Sequence, residues 1–147
     1  MSDSDLIKLY SARILGLAAE IPHLGRLPAP QGTARRRSPL CGSTVTVDVV
    51  VKDGRVTDFA QDVKACALGQ ASAAVLGGIV IGRSLAELQA ARGALVAMLK
   101  AGGPVPPAPF DGYEVLLPAR DYKNRHASIL LALEAVCDAI EAAQAAA

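Results

Sequence analysis

The sequence predicts an α+β fold, with strand-forming segments gathered between residues 33 and 64 and helical patterns on both sides of them. Three observations carry this reading. Asp53-Gly54 separates two runs with apolar residues at alternate positions, and both central residues of a two-residue hairpin turn need φ > 0, which Asp and Gly tolerate. From residue 67 the apolar period changes from that of a strand to that of a helix. Apolar residues make up 52% of the 147 but aromatic ones only 3%, so the core must be built from Ala, Val, Leu and Ile, which suit closely approaching helices.

Each element has its own signal. Ser4 and Asp5 are N-cap candidates for a first helix whose apolar stripe is Leu6, Ile7, Tyr10, Ile14, Leu17 and Ile21. Residues 22–31 form a Pro-rich connector. Residues 33–38, with Arg35-Arg36-Arg37, read as a short edge strand in which charge discourages edge-to-edge pairing. Residues 44–51 are the strongest strand: Val45, Val47, Val49 and Val51 share one face, and Thr44, Thr46 and Asp48 the other. Its partner, residues 55–64, carries Val56, Phe59 and Val63. Residues 67–81 read as a helix of small side chains. Ser84 and Glu87 have the spacing of a capping box, opening a helix through Leu85, Leu88, Leu95 and Met98 that Gly102-Gly103-Pro104 stops. Residues 104–111 are loop, 113–117 a short extended piece, and a last helix starts near Arg125 with Ile129, Leu130, Leu133, Val136 and Ile140 on its apolar side. No repeat and no second domain is visible, so residues 1–147 read as one domain.

The composition excludes several classes. A formal charge of +1 gives no global pull toward nucleic acid or anionic lipid. No apolar run is long enough to span a membrane, and the opening Met-Ser-Asp-Ser-Asp is acidic where a signal peptide is basic, which points to the cytoplasm. There is no phosphate-binding loop, dinucleotide fingerprint, nucleophile elbow or acid/base carboxylate pair, so no enzymatic machinery is visible. In a reducing compartment, three cysteines read as ligands, redox thiols or core residues.

Cys41 and Cys66 are the residues that point to chemistry. Cys41 lies twelve residues before Asp53 and Cys66 twelve after Gly54, so an unbulged ladder sets them opposite each other. Their Cα atoms are then about 4.5–5.5 Å apart, and one bulge would offset them without separating the two ends. Two sulfurs at that spacing can bridge a metal or an iron–sulfur cluster, or oxidise to a disulfide. The plainer alternative is a pair of small buried hydrophobes. Cys66 falls where a strand gives way to a helix, whose first-turn N–H groups favour a thiolate, and Gly42 after Cys41 lets the backbone turn. His126, in the first turn of the last helix, is a type of ligand that zinc or iron accepts beside thiolates, although a lone His is more often a surface or capped residue. His23, in the connector, has a weaker case. Cys137 lies eleven residues after His126 on the same helix, about 16 Å along its axis, and reads as core. The arginine run is a solvated face or a dock for an acidic partner, without the aromatic interleaving of a nucleic-acid surface.

Taken together, Ser38-Pro39-Leu40-Cys41-Gly42, the Val-rich hairpin, Lys64-Ala65-Cys66 with the small-residue helix after it, and His126-Ala127-Ser128-Ile129-Leu130 resemble the IscU/NifU-like iron–sulfur cluster scaffold family over nearly the whole chain. The resemblance implies a small three-stranded antiparallel sheet with four or so helices packed on it and the ligands gathered at one exposed end. It implies Cys41, Cys66 and His126 as ligands of iron, of a transient [2Fe-2S] cluster or of zinc. Ser43 stands where the family has an aspartate, and Ala127 where it has a third cysteine. That leaves one position of a tetrahedral site to water, an external thiol or a carboxylate such as Asp62. The implied function is a non-catalytic scaffold or carrier, monomeric or weakly self-associating, that works with a cysteine desulfurase and acceptor apoproteins. The alternatives are a zinc-holding sulfur acceptor that partners the desulfurase, and a degenerate member acting as an interaction module.

Overall fold

A computed structural model describes residues 10–146. Ser4, Asp5, Leu6 and Ile7, expected to open the first helix, lie outside the described residues. Within them, helix α1 (Ala12–Ala19) is capped by Ser11, whose hydroxyl accepts from the Ile14 N–H at 3.3 Å. Ile14 is buried, while Tyr10, Leu17 and Ile21 pack half-buried against the core.

Strands β1 (Gly32–Arg37), β2 (Thr44–Lys52) and β3 (Arg55–Lys64) form an antiparallel sheet in the order β1-β2-β3. Helices α2 (Ala67–Gly77), α3 (Leu85–Lys100) and α4 (Lys123–Ala146) follow, with a run of 3-10 turns over Asp111–Asp121 before α4. The α+β class and the three-stranded sheet are therefore as expected, and Ser84 and Glu87 close the expected capping box on α3.

Asp53 and Gly54 form the hairpin turn at φ 52° and 75°. Beside it Val51 pairs with Val56, but beyond it Val50 pairs with Asp58, which leaves Thr57 as an extra residue on β3. The cause is side-chain alternation. A one-residue slip exchanges the two faces of a strand, and without the bulge Asp58, Ala60 and Asp62 would point at the core in place of Phe59, Gln61 and Val63. The bulge also means that Cys41 and Cys66 are not direct partners in register.

Val45, Val47 and Val49 on the inner face are fully buried, and α4 lies against β1 and β2 on that side. Gly32 touches the α4 backbone so closely that a Cβ there would overlap the Ala139 carbonyl. Arg36 also turns inward, pairing with Asp138 at 2.5 Å and Glu134 at 3.7 Å on α4, so the arginine run is not wholly a solvated face. Helix α2 crosses α4 at Gly69, where a Cβ would stand 2.6 Å from the Ser128 hydroxyl. One turn on, the Ser72 hydroxyl donates to the Ile129 carbonyl at 2.6 Å.

Three details differ from expectation. The connector does not simply link elements: its residues 23–25 run beside β3, with Gln61 N–H donating to the His23 carbonyl and Gly25 N–H to the Gln61 carbonyl. His23 itself packs edge-on against Phe59, ring centroids 5.9 Å apart. Helix α2 ends at Gly77, because Gly77-Gly78 is a poor continuation of a helix. The segment around residues 113–117 is not extended. Tyr113, Leu116 and Ala119, three apart and fully buried, line up on one side because side chains at i and i+3 eclipse in a 3-10 helix.

On the outer face the buried Asp48 receives Arg26 at 2.7 and 3.1 Å, the Thr33 hydroxyl at 2.6 Å and the Leu27 N–H at 3.0 Å. Burial alone would raise its pKa, but these donors outweigh it and hold the carboxyl below its ordinary value. A depressed folded-state pKa adds stability above the unfolded value, about 3.9, and that stability is lost as pH falls through the folded one. Denaturant unfolding should therefore show an acid limb below about pH 4 that Asp48→Asn flattens, with the variant less stable at pH 7.

Candidate functional site

Ser38 and Ser43 extend the β1–β2 ladder by one step, Ser38 N–H donating to the Ser43 carbonyl at 2.8 Å. A four-residue loop, 39–42, joins them. Gly42, at φ 71°, closes it by donating to the Ser38 carbonyl at 2.9 Å, a backbone shape that side chains rarely adopt. Leu40, 74% exposed, and Cys41, also exposed, form its tip. Alternation from Arg36 and Val45 turns Ser38 and Ser43 to the inner face, where both are buried.

At the same end of the sheet β3 runs out through Ala65 into Cys66, the N-cap residue of α2. Its backbone is extended, at φ −66° and ψ 169°, and its side chain makes no capping bond, so the sulfur is free to face outward from the helix. The third contribution comes from α4, where the Gly69 crossing presses Ser128 into the corner. Cys41 Sγ lies 3.0 Å from Ser43 Oγ, Ser128 Oγ donates to Ser43 Oγ at 3.2 Å, and Cys66 Sγ lies 3.4 Å from Ser128 Oγ. Two hydroxyls thus join the two sulfurs into one hydrogen-bonded row, despite the shifted register.

The row changes the chemistry of Cys41. Hydroxyl donation from Ser38 and Ser43 lowers its thiol pKa to about 7, against a smaller opposing effect of burial, so a large fraction is thiolate at neutral pH. Ser38 Oγ is buried and has no hydrogen-bond partner at ordinary distance and angle among the described residues, so its proton is not committed elsewhere. Cys137 is the contrast: buried on α4, its thiol is pushed up to about 11 by desolvation, and it belongs to the core, as the sequence suggests.

His126 does not join the pair. Its ring is 3% exposed, with Nε2 3.0 Å from both the Ala119 and Arg120 carbonyls, tying α4 to the end of the 3-10 segment. Residues two apart on a helix lie roughly 200° around its axis, so the face that gives Ser128 to the thiols takes His126 away from them. Asp62 is exposed on the outer face of β3, opposite Thr46, whereas Ser43 faces inward. Among the described residues no three His, Cys, Asp or Glu side chains gather as a metal site. The groups beside the thiols are hydroxyls instead. Ser43 stands out in the sequence only as a departure from the family pattern, and Ser128 carries no signal beyond its small size.

The family model described as the NifU-like N terminal domain matches residues 9–141. The chain belongs to this family. A crystal structure described as a nitrogen-fixing NifU-like protein (N-terminal) from Brucella abortus is 48% identical to this NifU-like chain. It covers 97% of this chain and 99% of its own, at a TM-score of 0.93. A second neighbour in fold is described as a candidate iron–sulfur cluster assembly scaffold protein for the SUF system, from thermophilic Fervidobacterium islandicum AW-1. It shares 20% identity over 91% of this chain and 98% of its own, at a TM-score of 0.77, a likeness of fold alone. Among curated proteins, none matches the sequence.

The sulfurs of this NifU-like domain should differ in reactivity. Alkylation by iodoacetamide, followed site by site by mass spectrometry, should label Cys41 with a midpoint near pH 7 and leave Cys137 untouched until unfolding. Ser43→Ala removes a donor to the thiolate and should move the Cys41 midpoint upward.

Proposed function

We propose that this chain is a non-catalytic iron–sulfur cluster assembly scaffold, receiving iron and sulfide, or a [2Fe-2S] cluster, as cargo at the Cys41–Cys66 rim. The single observation that carries this is the meeting of two thiols at one solvent-reachable edge, one of them substantially thiolate near neutral pH. The thiolate is the form that ligates metal, and membership of the NifU-like family supports cluster handling rather than a structural use of the pair.

Two thiols do not complete a cluster by themselves, since iron–sulfur clusters are usually held by four thiolates. The remaining positions fall to weaker donors, which suits cargo that is to be passed on. A cysteine desulfurase supplying sulfur and apoproteins accepting the product are the implied partners, and the cytoplasm is the implied compartment. No helix among the described residues is long and apolar enough to cross a membrane.

A second reading is favoured by the exposure and lowered pKa of Cys41. A thiol whose pKa lies near ambient pH is the best attacking group in sulfur exchange. Cys41 as thiolate would attack the outer sulfur of a donor persulfide, forming a persulfide on Cys41 and releasing the donor as thiolate, with zinc in place of iron at the rim.

Anaerobic reconstitution of the full chain with iron and sulfide should give charge-transfer absorption that Cys41→Ser and Cys66→Ser each abolish. Wild-type protein that stays colourless would overturn the scaffold reading, and stoichiometric zinc without iron in freshly purified protein would favour the sulfur acceptor. His126→Ala should retain the absorption while losing about 1–3 kcal/mol of stability from its unpaired carbonyl partners, measured by denaturant unfolding.

A further inference from the structure

A cavity of about 490 Å³ opens where the end of α3, the end of the 3-10 segment and the first turn of α4 meet. None of its lining residues belongs to the thiol rim. We propose that this cavity binds a metabolite-sized organic anion carrying two or more phosphate or carboxylate groups.

Charge is the first argument. Lys100, Arg120 and Lys123 line the cavity against one carboxylate, Asp121. On a chain whose formal charge is only +1, that is a local excess of positive charge. Nor is it cancelled internally, since Lys100, Lys123 and Asp121 enter no ion pair among the described residues. Helix α4, 24 residues long, starts at Lys123, and the positive end of a helix adds to the attraction for an anion.

The second argument is hydrogen-bonding capacity left over on groups already fixed in place. His126 lines the cavity at 3% exposed, and both neighbours of its Nε2 are carbonyl oxygens, so Nε2 carries the proton. The other ring nitrogen, Nδ1, has no partner among the described residues. It accepts from a ligand hydroxyl when the ring is neutral and donates to an anionic oxygen when the ring is charged. Arg120 donates from Nε to the Met98 carbonyl at 2.8 Å and from Nη2 to the Gly103 carbonyl at 3.0 Å. Those bonds hold the guanidinium against the end of α3 and leave its Nη1 N–H groups uncommitted. Groups held this way meet a ligand with little further cost of ordering.

Size sets the class of ligand. Small-molecule sites run from about 300 to 1,000 Å³, and a lone inorganic anion would leave most of this one empty. Gly102 has open space where a side chain would stand, and Leu99 supplies an apolar wall. Lys100 on α3 and Lys123 on α4 approach from two elements, so a molecule with charges at two points meets both.

Isothermal titration of the metal-free full chain at low salt tests this, with citrate in one series and ADP in another. Wild type should bind at least one of them at one molecule per chain. Citrate alone identifies a carboxylate ligand, ADP alone a phosphate ligand, and both together the shared anionic chemistry. Lys100→Gln and Lys123→Gln should each weaken binding about tenfold. Both lysines are exposed, and melting curves without ligand check that the variants are folded. Arg35→Gln, which removes an exposed cation outside the cavity, and Cys41→Ser should bind as wild type. Amide shifts on binding should centre on Gly102, Asp121 and Lys123. Binding of neither probe, or unchanged affinity in both lysine variants, overturns the proposal. So does an Arg35→Gln loss equal to that of Lys123→Gln, which would report attraction to surface charge alone, or a loss in Cys41→Ser, which would put the anion at the rim. Failure of cluster reconstitution leaves this inference standing, because the cavity and the thiols share no residue.

Discussion

Helices α2 and α4 meet so closely at Gly69 that a methyl group there would overlap the Ser128 hydroxyl, and the candidate site depends on that contact. Small residues set the distance: Gly69 and Ser72 on α2 face Ser128 and Ile129 on α4, and Ser72 bonds the α4 backbone directly. Because interiors are packed without spare volume, a displaced helix cannot be absorbed locally. Moving α4 outward by the width of a methyl would withdraw Ser128 from both Cys66 and Ser43. The scarcity of aromatic residues has a structural use here, since a core of Ala, Val and Leu lets backbones come this near.

Much of the fold was legible because each signal had one local cause. Asp53-Gly54 marked the turn, alternating valines marked β2, and Ser84 with Glu87 marked the start of α3, each a pattern whose physics is confined to a few residues. The bulge was legible too, in retrospect. Val56 and Phe59 are both buried yet an odd number of residues apart, which a regular strand cannot satisfy. The 3-10 segment was not legible, because Tyr113, Val115 and Leu117 alternate as a strand would, and only the packing of Tyr113, Leu116 and Ala119 shows which period the core selects.

At the site, the convergence of Cys41 and Cys66 was readable from their distances to the turn, while their companions were not. His126 has the right chemistry and the right neighbourhood in sequence, yet two residues along a helix turn it onto the opposite side. Ser43 and Ser128 reach the thiols from a hairpin and a helix 85 positions apart, a contact set by the α2–α4 crossing and by no local pattern. A hydroxyl is also the polar group least distinctive in sequence, since serine serves equally in caps, turns and cores.

The tip of the β1–β2 hairpin treats its visitors unequally. Leu40 stands almost bare beside Cys41, and a lone ion reaching that sulfur passes it without effect. A macromolecule that lays its own surface over the sulfur must cover the leucine as well, and covering a leucine fully is worth about 1.5–3 kcal/mol. The hairpin therefore favours bulky callers over small ones through size alone, before any recognition of charge or shape begins.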